Sequence, residues 1–171
     1  DINKVLNDNW AVRLVGEKSD TNSFRDGIGS NEEMISPSFT YRSDDERLLW
    51  TTEFTYDDLN RVPDRGPSYE NLPDGTSIKM GFAQSGDYVE DVLKTARTDV
   101  KYEFAPGWKF HWGLSHREAE QNFDHFYLGS MCAADKTPTA KDKGCYKGYI
   151  NQIYYWQQTT NKTTANTWDI S

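Results

Sequence analysis

A two-residue alternation of large aromatic and charged side chains constrains this chain more than anything else in it. From Thr98 to Phe104 it runs without exception: Asp99, Lys101 and Glu103 on one side, Val100, Tyr102 and Phe104 on the other. The run Trp10–Glu17 sets Trp10, Val12 and Leu14 against Arg13 and Glu17. Leu49–Tyr56 sets Trp50, Phe54 and Tyr56 against Glu53, and Trp108–Ser115 repeats the pattern. Shorter matches are Ile35–Tyr41 and Trp168–Ile170. Successive side chains of a strand point to opposite faces, so these are β-strands with one wet face and one ring-bearing face. In a soluble sandwich the ring-bearing face packs on a second sheet. In an outer-membrane barrel it looks out at lipid, with Trp and Tyr at the interfaces. The strands alone leave both open.

The connections help to choose. Leu6–Asn9, Ser43–Glu46 and Ala105-Pro106-Gly107 are tight. Between them lie a link of about fifteen residues before Glu33, one from about Asp57 to Val92 and one from about Gln121 to Tyr149, lengths uncommon in compact soluble domains. Short and long links strictly alternate, as in an up-and-down barrel with short turns inside an outer membrane and long loops outside. Trp10 and Trp108 directly follow tight turns, and Phe104 directly precedes one. The expected fold is therefore an all-β, antiparallel, transmembrane β-barrel portion occupying residues 1–171. Six substantial strands and part of a seventh in Asp1–Val5 fall short of the eight that the smallest membrane barrels need, so the expectation is an excerpt of a longer barrel.

Charge and cysteines narrow the functions. Among 171 residues there are 27 acidic and 19 basic, a net charge of −8, the wrong sign for a nucleic-acid partner. No run approaches the 18 apolar residues of a transmembrane helix. Cys132 and Cys145 have no His or Cys at metal spacing nearby, so they read as a disulfide formed in an oxidising compartment, closing a loop worth about 3 kcal/mol. His111, His116 and His125 form no metal site by spacing and are expected in structural or solvent-facing roles. No catalytic Ser/His/Asp, Cys/His or phosphate-cradling glycine pattern stands out, so no enzyme is expected.

In order, Asn9-Trp10-Ala11-Val12-Arg13-Leu14, Ile35-Ser36-Pro37-Ser38-Phe39-Thr40-Tyr41, Asp44–Trp50, Val62-Pro63-Asp64-Arg65-Gly66-Pro67 and Phe104–Phe110 resemble the early barrel, roughly strands two to eight, of a TonB-dependent ferric-siderophore receptor of the ferrichrome type. The plug domain, the TonB-box segment and the remaining strands of that family have no counterpart here. The resemblance implies capture of an Fe(III)–siderophore chelate at the bacterial outer membrane, with TonB, reached through the missing N-terminal segment, and lipid or lipopolysaccharide as partners. It implies no protein-bound cofactor, since the iron travels inside the chelator.

It also places ligand-touching aromatics shortly before the first loop cysteine, which singles out Tyr127 and Phe126, with Phe123 beside them. Arg65 and Tyr69 in the preceding loop are further candidates, although a turn-stabilising role for Asp64-Arg65-Gly66 is the stronger reading. Tyr154, Tyr155 and Trp156 are expected to anchor at the membrane girdle on one face and to meet the lumen on the other. Two alternatives stand beside this reading: a soluble secreted β-sandwich that binds carbohydrate, and a plugless outer-membrane porin or adhesin.

Overall fold

The computed structural model describes residues 1–64, 74–131 and 150–171. Seven strands follow one another in a single antiparallel sheet: β1 (Ile2–Val5), β2 (Trp10–Asn22), β3 (Gly29–Arg42), β4 (Leu48–Arg61), β5 (Tyr88–Ala105), β6 (Trp108–Met131) and β7 (Ile150–Ile170). Each pairs with its neighbour in sequence, in the order β1-β2-β3-β4-β5-β6-β7. This is the up-and-down architecture expected from the alternation. The two-layer sandwich is not formed, because all seven strands lie in one sheet.

The register lines up the ring-bearing faces. Trp10 pairs with Tyr41, Tyr41 with Trp50 and Trp50 with Val100. Val100 then pairs with Trp112, and Trp112 with Trp168. One step nearer the turns the row is Leu48, Tyr102, Phe110 and Ile170. A one-residue slip would put every one of these rings among the charges, so the side-chain pattern itself fixes the register.

Among the described residues this aromatic face has no covering layer. Phe54 is 48 % exposed, Trp108 54 % and Trp168 69 %, while among the described residues the buried apolar core is Val89. Polar ring atoms on the face are satisfied locally: Trp50 Nε1 donates to Thr98 Oγ1 at 2.7 Å and Trp112 Nε1 to Asn166 Oδ1 at 2.8 Å. The opposite, ionic face carries Arg13, Glu53, Arg97, Asp99 and Lys101. On it His111 lies between Asp99 (2.9 Å) and Asp169 (3.0 Å).

Pro37 sits inside a central strand, where its missing N–H removes a ladder bond. The β3–β4 ladder lapses at Ser36 and Pro37 and resumes in the same register at Ser38 and Glu53. Ser36 and Thr55 hydroxyls, 2.9 Å apart, bridge the strands at the gap. At the β5–β6 turn, Gly107 supplies a φ of 77°, and a register shift between Glu103 and Ala105 accompanies the two-residue connection.

All three long links are shorter than the sequence suggests. β2 runs on to Asn22 and β3 starts at Gly29, so the first is six residues, 23–28. β4 continues to Arg61, β5 begins at Tyr88 and β6 continues to Met131, each through stretches expected to be loop. Beyond the aromatic rows the apolar residues no longer keep to one face and the charged ones to the other, and periodicity of hydrophobicity cannot mark a strand there.

Candidate functional site

The ends of β4–β7 farthest from the tight turns, here the loop end, gather the candidate residues. Val89 pairs with Phe123 and Phe123 with Gln157 on the ionic face, and His125 pairs with Tyr155 and Tyr127 with Ile153 further along. Phe123, His125 and Tyr127 therefore share one face, while Phe126 turns to the other and meets Tyr154, ring centroids 5.1 Å apart. The predicted trio is split by strand alternation: Phe123 and Tyr127 stand together, Phe126 apart. Arg65, Tyr69, Cys132 and Cys145 lie outside the described residues.

His125 is the centre of the cluster. It is fully buried, with Phe123 at 5.6 Å, Tyr127 at 6.1 Å and Tyr155 at 6.3 Å between ring centroids. Nδ1 lies 3.3 Å from the carbonyl oxygen of Phe126, a partner that can only accept, so Nδ1 carries the hydrogen. Nε2 is buried and without a partner among the described residues. Of the structural and solvent-facing roles expected for the histidines, the buried His125 takes the structural one. The signal was present in Phe123-Asp124-His125-Phe126-Tyr127, whose alternation puts the imidazole between two rings.

Asp87, also buried, precedes β5 beside this cluster and accepts from the backbone N–H of Phe126 at 3.1 Å and of Gln84 at 2.8 Å. It pins the segment leading into β5 against β6. Further along the same segment, Asp26 N–H donates to the Lys79 carbonyl at 2.8 Å, and a Cβ on Gly81 would fall 1.9 Å from the Asp26 carbonyl oxygen. Glycine is required at that approach. Nearby, Arg25 pairs with Asp64 at 2.9 Å at the rim of a polar cleft of about 450 Å³ between the 23–28 connection and the ends of β3 and β4.

On the aromatic face the loop end changes character. Beyond Ile35 and Tyr56 come Lys18 paired with Glu33, then Glu118 paired with Lys162 at 3.0 Å, Gln158 donating to Glu120 at 2.9 Å and Asn122 donating to Glu90 at 2.9 Å. Tyr154 and Trp156 share this face but stand past those charged rows. The Tyr154 hydroxyl bonds to Asp124, which holds its pKa above the ordinary tyrosine range. Tyr155 alone of the three points to the ionic face. Among the described residues no group of three His, Cys, Asp or Glu is placed to hold a metal ion.

The sheet matches a known receptor. The ferric-catecholate import receptor Fiu from E. coli K12, in its open form, superposes on 98 % of this chain with a TM-score of 0.74 and 16 % sequence identity. The chain covers 27 % of that receptor's own length. At that identity the shared property is the fold, a run of antiparallel up-and-down barrel strands, and the match does not single out the ferrichrome type. No family model matches the chain, and no curated protein is similar to it.

Proposed function

We propose that this chain supplies barrel wall and ligand-capturing surface to an outer-membrane receptor for Fe(III)–siderophore complexes, energised through TonB. What supports the reading above all is the uncovered aromatic face of a single sheet and the point at which it gives way to charge. From Trp108 to Glu118, a strand tilted near 45° climbs about 24 Å, close to the 25 Å apolar band of an outer-membrane barrel. Trp10, Tyr41, Trp50 and Trp108 then form the interfacial girdle at the turn end, with Trp10 4.9 Å from Tyr41 and 6.1 Å from Trp50. Trp156, opposite Asp124, stands about 38 Å up on the same arithmetic, so it belongs to the extracellular extension rather than the girdle.

In this reading the ionic face lines the lumen, lipid and lipopolysaccharide cover the aromatic face, and further strands pair with β1 and β7, because an open edge cannot sit in hydrocarbon. Phe123 and Tyr127 face the lumen where a chelate arrives. Phe126, on the opposite face, is not part of that surface, and Arg65, Tyr69 and a Cys132–Cys145 disulfide enter this proposal through the sequence resemblance alone. An iron chelate is too large for an ordinary porin, so it needs a site and an energised gate. The strain lacking the gene, grown under iron limitation with a panel of ferric siderophores, should lose uptake of at least one. A protonophore should abolish that uptake in the parent strain. Unimpaired uptake in the deletion strain would overturn the receptor reading, and energy-independent passage of small solutes would favour the porin.

A further inference from the structure

The aromatic face carries its cations at one height. Lys94 and Lys162 share the row Ile35, Tyr56, Lys94, Glu118, Lys162, and Lys18 opens the next, Lys18, Glu33, Asp58, Val92, Glu120. Apart from Lys4 on the short edge strand β1, the described strands place no other Lys or Arg on this face. Both rows lie where the apolar band ends, about 24 Å above Trp108. The carboxylates in them already have donors. Glu33 is paired with Lys18 and Glu118 with Lys162, while Asp58 accepts from the Tyr56 hydroxyl at 3.0 Å and Glu120 from Gln158 at 2.9 Å. Lys94, between Tyr56 and Glu118, makes no ion pair or hydrogen bond among the described residues.

Directly below Lys94 the face is hollow. Ala96 stands between Phe54 and His116, and its small side chain leaves a groove of about 370 Å³ walled by Ile35, Pro37, Phe54 and Tyr56, with Lys94 at the upper end. His116, on the far wall, is bonded to Thr164 at 2.8 Å. About 10 Å above Lys94 runs the row Asp20, Asn31, Asn60, Glu90, Asn122, which holds no cation. There Asn22, Asn31 and Asn60 border the polar cleft under the 23–28 connection, and their amides make no side-chain hydrogen bond among the described residues. Climbing the face, the order is an apolar groove, an unpaired ammonium, then unspent amides with carboxylates. Acyl chain, phosphate and sugar hydroxyls follow one another in the same order in a phosphorylated glycolipid. A head group that ends at its phosphate would leave the amides to water.

Resting on the uptake reading above, which sets this face in the outer leaflet, we infer that it carries a docking site for a phosphorylated, acylated glycolipid. One acyl chain lies in the groove over Ala96, a phosphate meets Lys94, and the first sugars reach Asn31 and Asn60. The aliphatic stem of Lys94 rests on the groove wall while its ammonium climbs to the phosphate level. Attraction between a lysine and lipid phosphate holds at the membrane surface and fades within a Debye length, so only a cation at this height can use it. The amides, which donate and accept, suit hydroxyl groups better than they suit a second charge.

The test uses the intact protein that carries this chain, in detergent micelles, with bound lipid counted by native mass spectrometry. The probes are bisphosphorylated lipid A, the same lipid with both phosphates removed, and phosphatidylethanolamine. The bisphosphorylated form should bind at least about fivefold tighter than the dephosphorylated one at low salt, with the gap narrowing as salt rises, and phosphatidylethanolamine should bind more weakly than lipid A. Lys94→Gln should bring the two forms of lipid A together. Ala96→Phe, which fills the groove on a face that already bears rings, should weaken both forms alike and leave their ratio in place. Lys101→Gln, on the ionic face, should bind as the parent does, and circular dichroism reports whether each variant is folded. Equal binding of the two forms of lipid A, phosphatidylethanolamine binding as tightly as lipid A, or a ratio unmoved in folded Lys94→Gln would overturn the site and leave the uptake reading standing. An intact protein that stays folded and soluble without detergent would overturn both.

Discussion

The two halves of this sheet, cut across its strands, follow opposite rules. In the turn-end half one face is aromatic and uncovered and the other is ionic, and each strand can be assigned from its alternation. In the loop-end half the former aromatic face becomes a lattice of ion pairs and amide bonds, Glu118 with Lys162 and Asn122 with Glu90, while rings collect on the ionic side around His125. Backbone pairing runs unbroken from one half to the other along β5 and β6. Strand geometry is therefore common to both, and what differs is the solvent each face was selected against. Under the proposed function, one half is matched to hydrocarbon outside and water inside, the other to water outside and a partly apolar guest inside.

The sharpest way to break this contrast is to place one charge on the same face of β6 in each half. In the intact protein Trp112→Arg should destabilise by about 2–4 kcal/mol, since it puts a guanidinium near the bilayer midplane. Asn122→Arg, ten positions on, should stay within about 0.5 kcal/mol, because that site is wet and Glu90 remains as a partner. Urea unfolding in lipid vesicles reads both. Equal costs would mean that the face does not change solvent between the two rows.

The same contrast explains what could be read from the chain beforehand. The strands at Trp10, Trp50, Thr98 and Trp108 were legible because apolar and charged side chains alternate strictly there. Beyond Glu17, Asp57 and Gln121 one face is no longer apolar and the other charged, so the signal vanished although the strands did not, and three connections looked longer than they are. The aromatic cluster was half legible. Phe123, Phe126 and Tyr127 were singled out by the resemblance, which places rings before the first loop cysteine, but the grouping of Phe123 and Tyr127 with His125 needed the register, which sets Phe126 on the other face. Pro37 is accommodated in a central strand because the β3–β4 ladder skips it.

Within the loop end, the contact between the 23–28 connection and the segment around Gly81 is the place to test whether that half is held as one unit. A methyl group at Gly81 meets the backbone of Asp26, which cannot swing aside as a side chain would. Gly81→Ala should therefore break the Asp26–Lys79 backbone bond and raise amide exchange of Asp26 on the order of tenfold, with the turn-end amides unaffected. A change spread over both halves would show them to be coupled. At the turn end a smaller gain is available. Glu46 holds a φ of 58°, a conformation that favours glycine, so Glu46→Gly should stabilise the β3–β4 turn by about 0.5–1 kcal/mol, read as a shift in the unfolding midpoint.

The smallest effect expected is an acid response confined to that same turn. Ser43 Oγ donates to Asp45 Oδ1 at 2.6 Å, and the backbone N–H of Arg47 reaches the same oxygen at 3.2 Å. These bonds, the serine's first, hold the Asp45 pKa below its ordinary value. A carboxylate whose folded pKa is depressed stabilises the fold above its unfolded pKa, and that contribution is lost as pH falls through the folded value. The turn should thus be insensitive between pH 8 and pH 5 and loosen only below about 4, where an unperturbed aspartate begins to take up its proton. Because the carboxyl is open to water, the response should be local: faster exchange of the Arg47 and Leu48 amides, with those of β6 unchanged once the intrinsic pH dependence of exchange is divided out. Asp45→Asn should remove the acid step while leaving the neutral-pH turn in place. Loss of the β5–β6 ladder over the same acid range would instead place the titrating group on the ionic face, among the carboxylates around His111, and would make the turn a follower of the wall rather than an independent unit.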